Sequence, residues 1–112
     1  MEIIDILKTL ECAKNSLDDL TKELAEITKE KCIAEKEYCI EKEKQIEIAR
    51  AEKIQAVLIN DVVKSRMAES FFKIRILEVK ETYILNRLRN ERSNVEVLRT
   101  MLSYKKEEMK DL

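Results

Sequence analysis

Apolar residues recur along the first quarter of the chain at alternating steps of three and four residues. They occupy the a and d positions of four heptads: Ile3, Ile6, Leu10, Ala13, Leu17, Leu20, Leu24 and Ile27. This spacing is typical of a coiled-coil helix, because it keeps an apolar seam on one side. Opposite charges three residues apart, such as Asp19 and Lys22, support the exposed side. The pattern predicts one long N-terminal helix.

The second half of the chain carries two seams on different sides of a predicted helix. The first is mainly apolar and runs from Ile74 to Leu112. The second contains no charged residue: Phe72, Ile76, Val79, Tyr83, Asn86, Asn90, Ser93, Val97, Thr100 and Tyr104. A hairpin partner covers only one side of a helix, so we expect the second seam to pack against another molecule. The alternative is that its Asn and Ser residues face water between two small apolar clusters.

Few positions favour a turn, because the sequence contains no glycine and no proline, the residues that most readily redirect a chain. The best candidate is the stretch 58–65. Asn60 tolerates the left-handed conformation that ends helices, and Asp61 or Ser65 could cap a following helix.

These patterns predict an all-α fold: a long antiparallel helical hairpin (coiled coil) that assembles into a helical-bundle oligomer. We expect one domain over 1–112, with helix A over about 2–59, a turn over about 60–65 and helix B over about 66–111. The hairpin core is predicted to contain Leu17, Leu20, Leu24, Ile27, Leu77, Ile84, Leu88, Val95, Leu98 and Leu102. The oligomer interface is predicted to contain Phe72, Ile76, Val79, Tyr83, Asn86, Asn90, Val97 and Tyr104.

Two alternatives to this hairpin stay open. One is a single uninterrupted helix, which would leave more apolar surface in water. The other is a short opening helix that ends at Asn15, because Ser16 and Asp19 resemble a capping box.

Charge is abundant and unevenly distributed. Asp, Glu, Lys and Arg make up 40% of the residues, and the net charge is −1. Residues 1–60 hold 10 Lys and Arg against 14 Asp and Glu, whereas residues 61–112 hold 12 against 9. An antiparallel hairpin would place the acidic half beside the basic half, although exposed pairs contribute only tenths of a kcal/mol each.

Most catalytic and metal chemistry is excluded by composition. The chain has no histidine and no glycine, so it lacks the commonest general base and zinc ligand and cannot form a glycine-rich phosphate loop. Cys12, Cys32 and Cys39 have neither CxxC spacing nor an even count. We expect no catalytic residue, metal, cofactor or small-molecule substrate. No uncharged run is long enough to span a membrane, and we expect a cytoplasmic protein.

Basic residues beside aromatic ones are the remaining candidate for binding chemistry. Phe71 and Phe72 precede Lys73 and Arg75, and cations near aromatic rings bind single strands by phosphate attraction and base stacking. The candidate nucleic-acid-binding residues are Arg75, Arg87, Arg89, Arg92 and Arg99. The alternative is that these arginines pair with Glu on a neighbouring helix.

Three stretches within residues 48–110 resemble a known family. They are Ile48-Ala49-Arg50-Ala51-Glu52-Lys53, Lys64-Ser65-Arg66-Met67-Ala68-Glu69 and Leu98-Arg99-Thr100-Met101-Leu102-Ser103-Tyr104-Lys105-Lys106-Glu107-Glu108-Met109. They are similar to small helical-hairpin proteins encoded among the early, replication and recombination genes of tailed phages of low-GC Gram-positive hosts. The resemblance implies an oligomeric, non-enzymatic accessory protein that acts near single-stranded DNA or a recombinase in the host-cell cytoplasm.

Three hypotheses of function follow. The first is a self-assembling accessory protein of phage DNA metabolism. The second is a protein-binding module or inhibitor whose uncharged seam docks a host protein. The third is a structural spacer that uses both seams in an oligomer.

Overall fold

Three helices make up the protein in the computed structural model, which describes residues 2–110. They are α1 (Ile3–Ala51), α2 (Ala56–Arg66) and α3 (Ala68–Lys110). No strand occurs in this range, so the predicted all-α fold is confirmed. None of the helices in residues 2–110 combines the length and the apolar character that crossing a membrane requires.

The C-terminal end of α1 is a Schellman motif, a common way to terminate a helix. Lys53 has a φ of 60° and donates its N–H to the Arg50 carbonyl at 3.0 Å, while Ile54 donates to the Ala49 carbonyl at 3.2 Å. Ile54 also packs against the apolar cluster that contains Ala49, which supplies the hydrophobic contact typical of this motif. A lysine therefore takes the left-handed position that glycine usually occupies.

The link between α1 and α2 spans residues 52–55, so the predicted turn at 60–65 is wrong. Residues 60–65 lie inside α2. Val63 is buried against Ala49 and Met67, and this burial outweighs the weak helix propensity of valine and asparagine. The first helix consequently ends at residue 51 instead of near 59, and the region expected to form one second helix contains α2 and α3.

The two alternatives to a hairpin are also wrong. α1 continues through Asn15, because Ala13 and Leu20 are both buried and the apolar seam holds the helix together across the capping-box sequence. The chain is not one uninterrupted helix, since α1 ends at Ala51.

A local irregularity at Met67 separates α2 from α3. Its φ of −103° and ψ of 12° fall in the sparsely populated bridge region. Hydrogen bonds of helical spacing still pass through it: its N–H donates to the Val63 carbonyl and its carbonyl accepts from the Phe71 N–H, both at 3.0 Å. Because the Met67 side chain is buried, α2 and α3 meet at a distorted helical turn and not at a loop.

The helices form two compact units, and each has its own apolar core. The first unit falls within Met1–Ala25 and Thr82–Leu112, so it contains the start of α1 and most of α3. Its buried side chains are Ile6, Ala13, Leu20, Ile84, Leu88 and Leu98. Several of them are spaced as expected for coiled-coil packing.

The second unit, Glu26–Glu81, contains the end of α1, all of α2 and the start of α3. Its core consists of two clusters. One contains Ala34, Ile74 and Leu77, and the other contains Ala49, Val63 and Met67. Within this unit the α1 segment therefore runs antiparallel to the segment formed by α2 and α3.

Candidate interaction surfaces

The residues predicted for the hairpin core lie on the inner sides of the two units. Five of them are buried: Leu20, Leu77, Ile84, Leu88 and Leu98. The other five are half-buried: Leu17, Leu24, Ile27, Val95 and Leu102. The first seam of α3 therefore supplies the apolar side that packs against α1 within each unit.

The second seam of α3 is exposed along its length. We call it the α3 seam and define it by Phe72, Ile76, Val79, Tyr83, Asn86, Asn90, Ser93, Val97, Thr100 and Tyr104. Its six apolar and aromatic side chains are between 55% and 70% exposed, and its four polar residues are exposed as well. Since large apolar side chains in a row are costly to leave in water, the α3 seam is a candidate binding surface.

Two of the candidate arginines contact aromatic rings. The guanidinium carbon of Arg75 lies 5.9 Å from the centroid of the Phe71 ring, and that of Arg87 lies 5.9 Å from the centroid of the Tyr83 ring. Both are cation–π arrangements. Arg75 also forms an ion pair with Glu78 at 3.2 Å, which reduces the charge that it offers to a ligand.

The other three candidate arginines, Arg89, Arg92 and Arg99, are exposed. None of them takes part in an ion pair within residues 2–110. The spacings of three and seven residues put Arg89, Arg92 and Arg99 on one side of α3, whereas Arg87 lies on another side. The five arginines consequently do not form one compact patch.

A cleft in the second unit brings together residues that the sequence patterns had not grouped. It has a volume of about 530 Å³ and is lined by Tyr38, Lys42, Asn60, Val63, Lys64, Ala68, Phe71 and Phe72. The lining contains three aromatic rings, two lysines and no acidic residue. The cleft exists because the link at 52–55 places α2 beside α1, an arrangement that a turn at 60–65 does not produce. The only signal in the sequence was the Phe71-Phe72 pair beside basic residues.

A half-buried ion pair joins α1 to α3 in the second unit. Lys31 Nζ donates to Glu81 Oε1 at 2.8 Å, and the Thr28 hydroxyl donates to Glu81 Oε2 at 2.9 Å. The hydrogen bonds from Lys31 and then Thr28 lower the pKa of the Glu81 carboxyl below its ordinary value. The same bond raises the pKa of Lys31. Lys31 and Glu81 occupy positions in the apolar seams of their helices, and the ion pair between them compensates for the partial burial of both charges.

A second ion pair connects the link to the end of α2. Arg66 donates from both terminal nitrogens to the two carboxylate oxygens of Glu52, each at 2.9 Å. This bidentate geometry is the most favourable for an arginine and a carboxylate. It lowers the pKa of Glu52 and raises that of Arg66. The pair fixes the end of α2 beside the end of α1 within this unit.

Within residues 2–110, no group of three or more His, Cys, Asp or Glu side chains is arranged to hold a metal ion. Cys12, Cys32 and Cys39 are free and exposed. Comparison of the chain with protein families, with curated proteins and with solved structures gives no match. The features of the molecule that bear on its function are therefore the α3 seam, the arginines and the cleft.

Proposed function

We propose that this protein has no enzymatic activity and acts as a self-associating helical protein in which the α3 seam pairs with the α3 seam of a second copy. The observation that supports this proposal is the exposure of six apolar and aromatic side chains along one uncharged side of α3. In a chain with 40% charged residues, an uncharged side of this length is typical of a helix–helix interface.

A second copy suits the α3 seam because each copy presents the same surface. Asn86 and Asn90 lie in the middle of the seam, with apolar residues on both sides. An asparagine side chain both donates and accepts hydrogen bonds, so the asparagines of two copies can bond to each other across the interface. A buried polar residue at such a position fixes the register of a coiled coil at some cost in stability.

The exposed apolar surface is large enough to favour association. Burying the exposed parts of the six side chains in each of two copies contributes roughly 10–20 kcal/mol. The loss of translational and rotational freedom on association costs about 4–15 kcal/mol. Pairing at micromolar concentration is therefore reasonable in energetic terms.

Light scattering after size exclusion tests the proposal directly. We expect a mass of at least twice the 13.2 kDa of one chain, and a monomer mass for Tyr83→Glu. A wild-type monomer that stays monomeric on concentration contradicts self-association. That outcome favours the use of the α3 seam as a docking site for a different protein.

Contact with single-stranded DNA is the second candidate function, and the two cation–π pairs on α3 favour it. Arg75 on Phe71 and Arg87 on Tyr83 combine a cation with an exposed ring, which is the chemistry that binds phosphates and stacks bases. The resemblance to phage replication and recombination proteins points in the same direction. We therefore propose an accessory role beside single-stranded DNA or a recombinase in the cytoplasm of a host cell.

Oligonucleotide binding at two salt concentrations tests this second candidate. We expect measurable binding at about 50 mM salt and a large loss of affinity at about 200 mM, because bound phosphates release counterions. Reversal of charge at Arg92 and Arg99 should weaken binding without changing the mass of the oligomer. If the oligomer forms but no oligonucleotide binds at about 50 mM salt, the protein is a structural spacer.

A further inference from the structure

The cleft of the second unit combines aromatic rings with unpaired positive charge. Tyr38, Phe71 and Phe72 line it, and the whole chain has only five Tyr and Phe residues. Phe71 and Phe72 meet edge to face, with ring centroids 6.4 Å apart and planes at 70°. Because Phe71 is about half exposed, part of its ring surface is open to a ligand.

The two charged residues that line the cleft are both basic. Lys42 and Lys64 line it together with Asn60, and no ion pair within residues 2–110 involves either lysine. Arg75 stands over the Phe71 ring just outside the lining residues. An anionic group near the lysines would therefore meet attraction and no opposing carboxylate from the lining.

The size of the cleft fits a small planar group. Its volume of about 530 Å³ falls in the range of about 300–1,000 Å³ that is usual for ligand sites. A nucleobase needs a ring face for stacking, a polar side chain at its edge and a cation for the adjoining phosphate. Phe71, Asn60 and the two lysines offer these three features in one place.

We infer that this cleft is a nucleotide-binding site that receives one base of a single-stranded nucleic acid. The base stacks on the Phe71 ring, Asn60 contacts its edge, and Lys42 and Lys64 bind the neighbouring phosphates. The inference rests on the proposed contact with single-stranded DNA and not on self-association. It adds a contact in the second unit to those proposed for Arg92 and Arg99, which belong to the first unit.

Fluorescence anisotropy with a labelled oligothymidylate tests the site. Phe71→Leu keeps an apolar side chain but removes the stacking ring, and we expect about 5- to 100-fold weaker binding, as is usual for the loss of base stacking. Phe71 lies outside the α3 seam, so the mass of the oligomer should not change. Ile40→Leu, at an equally exposed apolar position of the second unit outside the cleft lining and the α3 seam, is the control and should leave binding unchanged.

The proposed contacts of Lys42 and Lys64 with phosphates are tested by the salt dependence of oligonucleotide affinity. Lys42→Gln and Lys64→Gln should each reduce the slope of log affinity against log salt by about 0.7, the value for one phosphate contact on a single strand. Lys36→Gln on the same helix as Lys42 does not change the cleft and serves as the control. Circular dichroism of each variant shows whether it is folded as the wild type is.

Three outcomes separate the inference from the proposals on which it depends. If the cleft variants bind normally and only Arg92 and Arg99 variants bind weakly, the cleft inference is overturned and DNA contact stands. If no variant and no wild-type protein binds the oligonucleotide, both DNA contact and the cleft inference are overturned, while the mass still tests self-association. If decanoate, an apolar carboxylate, displaces the oligonucleotide and binds Phe71→Leu as well as wild type, the cleft holds apolar anions and the inference is overturned.

Discussion

Lys53 has the one positive φ value within residues 2–110, and a side chain in this conformation costs about 1–2 kcal/mol. Replacement by glycine removes that cost, although glycine also makes the unfolded chain more flexible. We expect Lys53→Gly to raise the free energy of unfolding by about 1 kcal/mol. Urea unfolding followed by circular dichroism measures the change.

An exposed lysine inside a helix provides the control for this substitution. Lys44 lies in the body of α1 and is exposed, so Lys44→Gly should lower the free energy of unfolding by about 1 kcal/mol. The same chemical change thus has opposite effects at the two positions. Destabilisation by Lys53→Gly would show that the left-handed conformation there carries no strain.

The ion pair between Lys31 and Glu81 predicts how stability depends on pH. The pKa of Glu81 is lower in the folded state than the ordinary 4.5, so its contribution is present above that pH and is lost as pH falls through the folded pKa. The raised pKa of Lys31 makes its contribution complete below its ordinary 10.5 and lost as pH rises through the folded value. The pair therefore stabilises the fold between these limits.

Glu81→Gln should flatten the acid limb of this dependence, because the glutamine does not titrate. Thermal melting followed by circular dichroism from neutral to acidic pH measures it. Glu43→Gln, at an exposed position of α1 without an ion pair in residues 2–110, is the control. Equal acid limbs in wild type and Glu81→Gln would count against the pair as a source of pH dependence.

At the scale of the element, one side of α3 packs in the core and another side, the α3 seam, is exposed. Leu88 is buried in the first unit, whereas Ile76 on the α3 seam is 55% exposed. Leu88→Glu buries a charge without a partner and should unfold the first unit. Ile76→Glu should leave helicity largely intact and dissociate the oligomer. Circular dichroism and light scattering on both variants measure the difference, and equal loss of helicity would contradict two separate sides.

The sequence predicts the long helices well and the link poorly, for physical reasons. Leu20 on α1 and Leu88 on α3 each belong to a seam of apolar residues at heptad spacing. Such spacing identifies a packed helix side without any tertiary information. The left-handed residue at the end of α1 is a lysine, which carries no turn signal of its own. Asn60 carries such a signal, but the burial of nearby Val63 keeps it helical. Long-range packing thus decides the position of the link and, with it, the cleft.

At the scale of the whole molecule, charge contributes less direct pairing than the acidic and basic halves suggest. Of the five ion pairs in residues 2–110, three join residues on the same helix three positions apart. Only the Lys31–Glu81 pair joins two helices, and the Arg66–Glu52 pair joins α2 to the link. Apolar burial is therefore the main source of stability, and the opposite charges of the two halves act mostly as a diffuse attraction.

The proposed self-association predicts that stability depends on protein concentration. If folded copies pair and unfolded chains do not, the melting temperature rises with concentration by mass action. We expect this rise for the wild type and its absence for Tyr83→Glu, whose charge lies in the middle part of the α3 seam. Calorimetry over a hundredfold range of protein concentration measures the rise, because that range changes the stabilisation by mass action by about 2.7 kcal/mol. A constant wild-type melting temperature contradicts pairing.

Lys53 also determines where a protease can open the chain. Trypsin cuts after lysine and arginine, and the sequence offers 22 such residues, yet within residues 2–110 every one except Lys53 lies inside a helix. Cleavage requires a segment that can leave its regular structure, which helical backbone resists. A brief digestion should therefore produce two fragments that meet at the bond between residues 53 and 54, and each compact unit should retain a helical segment from both fragments.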